Sequence, residues 1–138
     1  MGRFRRIIPD PFVERDQRVD KILLCSGKIY YELGEERALL GLKNIAIVRL
    51  EQLYPFPESE LKDALALYPD ANSVSWVQEE PENMGAWHYL DTKFCNQVFD
   101  RPFCGIFRPA SGSPATGSSA SQKREQKELI HQALSGGG

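Results

Sequence analysis

Two adjacent acids, Glu79 and Glu80, are the first feature of the sequence with the means to do chemistry. They directly follow the apolar run Val74–Gln78, which is typical of a buried strand. The carboxyl ends of parallel strands are the edge at which open α/β sheets place functional groups. His88 follows closely, and a carboxylate beside an imidazole can transfer protons. No nucleophile or substrate anchor accompanies them, so a solvated or interface loop for the acids and a structural role for His88 stay open as alternatives.

Four arginines form a second candidate set. Arg3, Arg5 and Arg6 lie near the start of the chain, and Arg108 ends a later apolar run. Guanidinium groups bind phosphate and other anions through paired hydrogen bonds, so the four residues are a candidate anion site. Surface salt bridges to the acids at positions 10–16 explain the first three equally well.

The cysteines and the second histidine give weaker signals. Cys25, Cys95 and Cys104 are widely spaced, with no C-x-x-C motif, which indicates neither a disulfide framework nor a zinc site. Cys25 lies within an apolar run, where a small core residue is expected. His131 lies among polar residues, where a solvated side chain is expected. The sequence also lacks the glycine-rich motifs of Rossmann and P-loop nucleotide sites.

Composition limits the class of protein. A chain of 138 residues with 41% hydrophobic residues is long enough for one domain with a core. Its 17 Lys and Arg nearly balance 19 Asp and Glu, which argues against a nucleic-acid partner. No apolar stretch reaches the roughly 20 residues that span a bilayer, and the first residues do not resemble a secretory signal. We therefore expect a soluble protein of a bacterial cytoplasm or a mitochondrial matrix.

The first regular elements are a strand and a helix. The run Lys21–Gly27 is continuously apolar until its final Ser-Gly, as in a strand buried on both faces. Ile29, Leu33 and Leu40 then recur at helical spacing, and Gly41 is placed to end the helix as a C-cap.

The pattern of strand and helix then repeats. Ile45–Leu50 is a second apolar run, Glu58–Leu67 has helical spacing with acids in its first turn, and Val74–Gln78 is a third apolar run. Strands that alternate with helices at this spacing form right-handed crossovers in a mainly parallel sheet. The sequence therefore predicts a three-layer α/β/α sandwich.

The remainder of the chain is less regular. We expect a third helix over Met84–Phe99, a fourth strand over Gly105–Arg108 and a flexible linker over Pro109–Ser121, which contains only Pro, Ala, Ser, Gly and Thr. A final helix carries a narrow apolar stripe of Leu129, Ile130, Ala133 and Leu134. The predicted domain covers residues 21–134, preceded by an extension or linker at 1–20 and followed by a disordered tail at 135–138.

Four strings give the sequence a resemblance to a known family. CSGKIYYEL at 25–33, IAIVRLEQLYPFP at 45–57, WVQEEPENMGAW at 76–87 and RPASGSPATG at 108–117 resemble the C-terminal region of the 2-oxoglutarate dehydrogenase decarboxylase component. Their order and spacing match as well, and the resemblance covers residues 4–134. Phe107 departs from it, because the family usually has Gly before the Arg-Pro pair.

The resemblance implies a fold similar to the transketolase C-terminal domain, and it implies that Pro109–Ser121 is an ordered loop against neighbouring domains in the full enzyme. It also implies that the chain belongs to a homodimeric thiamine diphosphate and Mg²⁺ enzyme of the tricarboxylic acid cycle. That enzyme decarboxylates 2-oxoglutarate and passes the succinyl group to a lipoyl-bearing succinyltransferase component. The G-D-G…N motif that holds the metal and diphosphate is absent from these 138 residues, so we expect a structural, dimer-forming domain that is inactive alone.

Two further implications concern binding. Some branches of the family bind an acyl-CoA or nucleotide effector near this domain, and Arg108 with Arg3 match the basic residues involved. A free-standing effector-binding or partner-binding module of the same fold is one alternative to the enzyme domain. An unrelated α/β enzyme that uses Glu79, Glu80 and His88 is another.

Overall fold

The computed structural model describes residues 6–14, 17–108 and 119–135. Its strands are β1 (Ile7–Ile8), β2 (Lys21–Cys25), β3 (Ile45–Leu50), β4 (Val74–Pro81), β5 (Gln97–Val98) and β6 (Arg101–Arg108). Its helices are α1 (Ile29–Leu40), α2 (Glu58–Ala66), α3 (Trp87–Phe94) and α4 (Ser119–Leu134). Within these ranges, the strands form one mixed sheet in the order β1-β3-β2-β4-β6-β5.

The four central strands are parallel, and helices cover both of their faces. Side chains alternate between the faces along each strand. Leu24 and Val48 share one core with α2 and α3, whereas Leu23 and Ile47 share a second core with α1 and α4. Strands buried on both faces need apolar residues at every position, which explains why β2 and β3 are continuous apolar runs. The predicted three-layer α/β/α sandwich is confirmed.

The segment before residue 21 contributes to the sheet. Ile7 and Ile8 of β1 pair antiparallel with Leu50 and Arg49 at the edge of β3. Ile7 is 4% exposed and belongs to the core shared with α2. The described part of the stretch for which the sequence predicts an extension therefore supplies an edge strand to the domain.

A buried ion pair fixes this segment in place. The Arg37 guanidinium of α1 donates to both carboxylate oxygens of Asp10, and the Nη2–Oδ1 distance is 3.3 Å. The same carboxylate accepts the backbone N–H of Ile47 at 2.8 Å, while Arg37 Nη1 donates to the carbonyl of Ile45 at 2.9 Å. Both side chains are buried, at 9% and 1% exposure, and charges removed from water in this way need such partners.

The end of α1 differs in detail from its prediction. Gly41 ends the helix as expected, with φ of 67° and its N–H bonded to the Ala38 carbonyl at 3.2 Å. The helical spacing predicts Leu40 on the buried face, but this side chain is 50% exposed. The left-handed turn at Gly41 directs Leu42 back toward the core, and the Leu42 N–H bonds to the Arg37 carbonyl at 3.2 Å. This is the usual hydrophobic contact after a C-cap glycine, so Leu42 takes the place predicted for Leu40.

The prediction of a helix over Met84–Phe99 is wrong at both ends. Helix α3 stops where Cys95 and Asn96 adopt positive φ values of 52° and 71°. Phe99 and Asp100 also have positive φ, as the central residues of a two-residue hairpin that joins β5 to β6. Because of this hairpin, β6 begins at Arg101 and is longer than the strand predicted over Gly105–Arg108.

The last part of the chain is described only from residue 119. Helix α4 begins at Ser119, so the final three residues of the predicted linker are helical, while residues 109–118 lie outside the described ranges. The predicted apolar stripe of α4 is confirmed, since all four of its residues are buried. No helix in the described ranges is long and apolar enough to cross a membrane.

Replacing Asp10 with Ala should lower the free energy of unfolding by about 3–5 kcal/mol, because it leaves the buried Arg37 charge without its counter-ion. The matched control is Glu60→Ala, which breaks the exposed Arg6–Glu60 pair and should cost less than about 1 kcal/mol. Urea unfolding followed by circular dichroism measures both changes. Equal midpoints for the two variants would contradict the role given to Asp10.

Candidate functional site

The carboxyl edge of the parallel strands contains a crevice at the topological switch point. The chain leaves β2 for β3 on one side and then returns to place β4 on the other side of β2. In open α/β sheets, ligands bind in the crevice that this reversal creates. Here it is a cavity of about 430 Å³, bounded by Ser26–Ile29, Leu53–Tyr54, Gln78–Glu80 and Gly85–Ala86.

The side chain of Gln78 organises one wall of this cavity. It is 3% exposed, and its Oε1 accepts the indole N–H of Trp76 and the backbone N–H of Trp87, both at 2.9 Å. An indole nitrogen can only donate, which fixes the orientation of the amide. A residue of the central sheet is thereby bonded to the start of α3.

The other end of the same amide holds the end of β4 and the loop that leads to α3. Gln78 Nε2 lies 3.1 Å from the carbonyl oxygen of Glu80, 2.8 Å from that of Pro81 and 2.7 Å from that of Met84. A buried amide whose groups are all bonded rigidifies its surroundings, because any movement leaves a polar group unsatisfied. The loop therefore presents its outer side chains from a fixed backbone.

Two glycines make room for this arrangement. Gly85 has φ of 68°, and a Cβ atom there would lie 2.9 Å from Gln78 Oε1 and 3.0 Å from Glu80 Oε1. At Gly105 of β6, a Cβ atom would lie 2.7 Å from the Trp87 ring. The string QEEPENMGAW thus has a structural explanation at Gln78, Gly85 and Trp87.

The structure does not bring the predicted acid-base residues together. Glu79 Oε1 lies 3.3 Å from the Lys28 ammonium, and this hydrogen bond raises the pKa of Lys28 above its ordinary value. Glu80 is exposed at the rim of the cavity, and His88 is exposed on the first turn of α3. His88 forms no hydrogen bond or ion pair with the described acids. Among the described residues, the carboxylate–imidazole pair considered from the sequence does not form. These residues also contain no cluster of His, Cys, Asp and Glu that could hold a metal ion.

Of the two residues predicted to bind an effector, only Arg108 lies within the described ranges. Its guanidinium donates to Gln126 Oε1 on α4 through Nη2, and its Nη1 lies 3.7 Å from Glu125 Oε1. Its Nε is buried without a hydrogen-bond partner. Arg3 and Arg5 are outside the described residues, and Arg6 pairs with an acid of α2 at 3.4 Å.

The remaining sequence candidates are structural or solvated. Cys25 is fully buried, and burial raises the pKa of its thiol to about 12, so the expected core role is confirmed. Cys95 and Cys104 are exposed free thiols. His131 is exposed on α4, as expected.

Sequence reasoning missed Gln78, Gly85 and Gly105. The signal available for the first was an amide at the end of an apolar strand, directly before two acids. A polar residue in such a run is buried only if its groups are bonded, which predicts a network without naming its members.

Gly85→Ala should disrupt the bonds of Gln78, because the new Cβ would collide with its Oε1. Gly27→Ala is the matched control, since Gly27 also has positive φ, 77°, but a Cβ atom there would have no neighbouring atom within 4 Å. Both variants acquire backbone strain of about 1 kcal/mol. The additional loss of unfolding free energy in Gly85→Ala therefore measures the collision. In NMR spectra, the Trp76 indole N–H signal should shift in Gly85→Ala and keep its position in Gly27→Ala. The same position in both variants would contradict the proposed contact between residue 85 and the Gln78 amide.

Comparison with known proteins finds one matching family model and several similar enzymes. The model of the family described as "2-oxoglutarate dehydrogenase C-terminal" matches residues 1–134. A 2-oxoglutarate dehydrogenase E1 component of Cupriavidus necator is 38% identical over 96% of this chain, and one of Coxiella burnetii is 40% identical over 96%. A mitochondrial 2-oxoglutarate dehydrogenase of Dictyostelium discoideum is 35% identical over 96%. The chain spans about 14–15% of the length of these three relatives.

A solved structure supports the fold. A chain described as a split gene transketolase, in an inactive beta4 tetramer, superposes with a TM-score of 0.53 at 15% sequence identity. The superposition covers 96% of this chain and 43% of that one, which shows a shared fold. The fold and the family match agree, and the chain belongs to the 2-oxoglutarate dehydrogenase C-terminal family.

Proposed function

We propose that this chain is the C-terminal structural and dimer-forming domain of a succinyl-transferring 2-oxoglutarate dehydrogenase. The complete enzyme decarboxylates 2-oxoglutarate and passes the succinyl group to lipoamide. In this proposal the chain contributes a rigid scaffold, and the reacting groups belong to the remainder of the enzyme. The observation that carries it is the match over 96% of this chain to about 14% of an E1 component.

Thiamine diphosphate and Mg²⁺ belong outside this domain in the proposal. When bound, thiamine diphosphate supplies the carbanion chemistry that decarboxylates a 2-oxo acid. The crevice does not fit it, because Glu79 and Glu80 outnumber Lys28 there and would repel a diphosphate. The described residues also contain no cluster of acids suited to Mg²⁺. The fragment alone should therefore bind no cofactor.

The proposed partners follow from the same assignment. They are the remaining domains of the enzyme, a second copy in a homodimer, and the lipoyl-bearing succinyltransferase component. The proposed compartment is a bacterial cytoplasm or a mitochondrial matrix. Support comes from relatives described from bacteria and from a mitochondrial relative in Dictyostelium discoideum.

A chimera tests the main proposal. In it, the last part of the Cupriavidus necator E1 component is replaced by this chain, and 2-oxoglutarate turnover is measured with a soluble electron acceptor. We expect activity within tenfold of the parent enzyme, none from the parent with that part deleted, and none from this chain alone. Turnover by the isolated chain, or a chimera no more active than the deletion, would refute the assignment; the second result would favour a free-standing module.

Effector binding at Arg108 and Arg3 remains a second proposal. The buried, unpaired Nε of Arg108 supports it, whereas an anion would have to displace the carboxylate of Glu125. Arg108→Ala should weaken acetyl-CoA or AMP binding to the chimera at least tenfold in calorimetry. The matched control is Arg124→Ala, an exposed arginine of α4, the helix that carries Glu125, and it should leave binding unchanged. An unchanged affinity in Arg108→Ala, or no binding at all, removes the proposal.

A further inference from the structure

The carboxyl edge of the sheet also carries an exposed surface that the domain itself does not use. We propose that this surface, formed by Tyr54, Glu80, Glu82 and Met84, is a docking site for a basic segment of the remainder of the full-length polypeptide. The inference rests on the proposed function and adds to it the surface and the chemistry of its partner. We call these four residues the edge surface.

Two large apolar side chains project from the edge surface. Tyr54 is 67% exposed and Met84 is 56% exposed. Aromatic and methionine side chains are enriched at protein interfaces, where they fill pockets on the partner. The cavity beside Tyr54 and Gly85 gives a partner side chain room to enter in return. The surface therefore offers apolar contacts together with a recess.

The ring of Tyr54 and the backbone of Met84 are held in place before any partner arrives. The Tyr54 ring lies 4.9 Å from the ring of Tyr89, and the backbone of Met84 is bonded to Gln78 at 2.7 Å. Ordering a side chain or loop at an interface opposes binding, so a rigid surface loses less free energy when it docks.

Charge determines the chemistry of the partner. Glu80 and Glu82 are exposed, and neither has an ion-pair partner among the described residues. Lys28, the cation that borders the same cavity, is already neutralised, since it pairs with Glu79 at 3.3 Å. The edge surface therefore has an excess of negative charge. A lysine or arginine between apolar side chains complements it.

The source of that segment follows from length. The chain spans about 14–15% of the length of its relatives, so most of such a polypeptide is available to contact it.

A second exposed apolar set flanks α1, where Phe12 is 75% exposed and Leu39 is 76% exposed. That set does not border the switch-point cavity, so it serves as the comparison surface in the test.

Hydrogen exchange measures whether the edge surface becomes covered. The backbone amides of Tyr54 and of residues 82–85 should exchange at least tenfold more slowly in the chimera described above than in the isolated chain. Equal rates at the edge surface would overturn the inference, whatever happens beside Leu39. Turnover by the chimera separates the two proposals, because an active chimera with an unprotected edge surface contradicts only this one.

Charge reversal tests the partner's chemistry. In the chimera, Glu80→Lys with Glu82→Lys should abolish the slowed exchange and lower turnover at least fivefold, through repulsion of the basic segment. The matched control reverses two exposed glutamates on the helices, Glu35→Lys with Glu128→Lys, and should keep the protection. Unfolding midpoints of the isolated variants should equal that of the parent chain, which shows that folding is intact. If the edge variant keeps the protection as the control does, the basic partner is refuted.

Discussion

One buried amide, that of Gln78, connects the core of this domain to the carboxyl edge of its parallel strands. It bonds a tryptophan of the sheet, the first turn of α3, two carbonyl groups at the end of β4 and one carbonyl group of the intervening loop. Leaving such a group unsatisfied costs about 1–3 kcal/mol, so the loop has little freedom to adopt another shape. The shape of the switch-point cavity follows from this constraint.

The constraint propagates through close contacts to β6. Trp87 is held at its backbone by Gln78 and packs its ring against Gly105, with Phe103 at 5.4 Å between ring centroids. A larger residue at position 105 has no space unless Trp87 moves, and a movement of Trp87 disturbs the amide. Strands β4 and β6 are thus coupled both by their ladder and by one indole ring.

Periodicity in the sequence was sufficient to predict the central layers. The apolar runs of β2 and β3 and the stripe of α4 reflect burial imposed on each residue by its local position, which a single sequence displays directly. The hairpin of β5 and β6 was missed because its turn is built from Phe99 and Asp100 rather than from an Asn-Gly or Asp-Gly pair. The buried pair of Asp10 and Arg37 was missed because 27 residues separate them and no local pattern connects them.

The candidate site was predicted in place but not in arrangement. The sequence located Glu79 and Glu80 at the end of a parallel strand. This is correct, because β4 ends at Pro81 and runs parallel to both of its neighbours. It did not show that Glu79 pairs with Lys28, because that contact depends on β2 lying beside β4. The family resemblance came from long strings, whose structural meaning became clear only with the contacts of Gln78 and Gly85.

The carboxylate of Asp10 has a further effect on the border of the sheet. By accepting the N–H of Ile47, it occupies a hydrogen-bonding position on β3 beyond the reach of β1. Bare strand edges recruit strands from other molecules and begin aggregation. A chain cut back to Lys21 would lose both β1 and this carboxylate, and two such chains would meet along the uncovered edge of β3. The segment that carries β1 and Asp10 therefore covers the edge of β3 against pairing with another chain, and it also stabilises the fold.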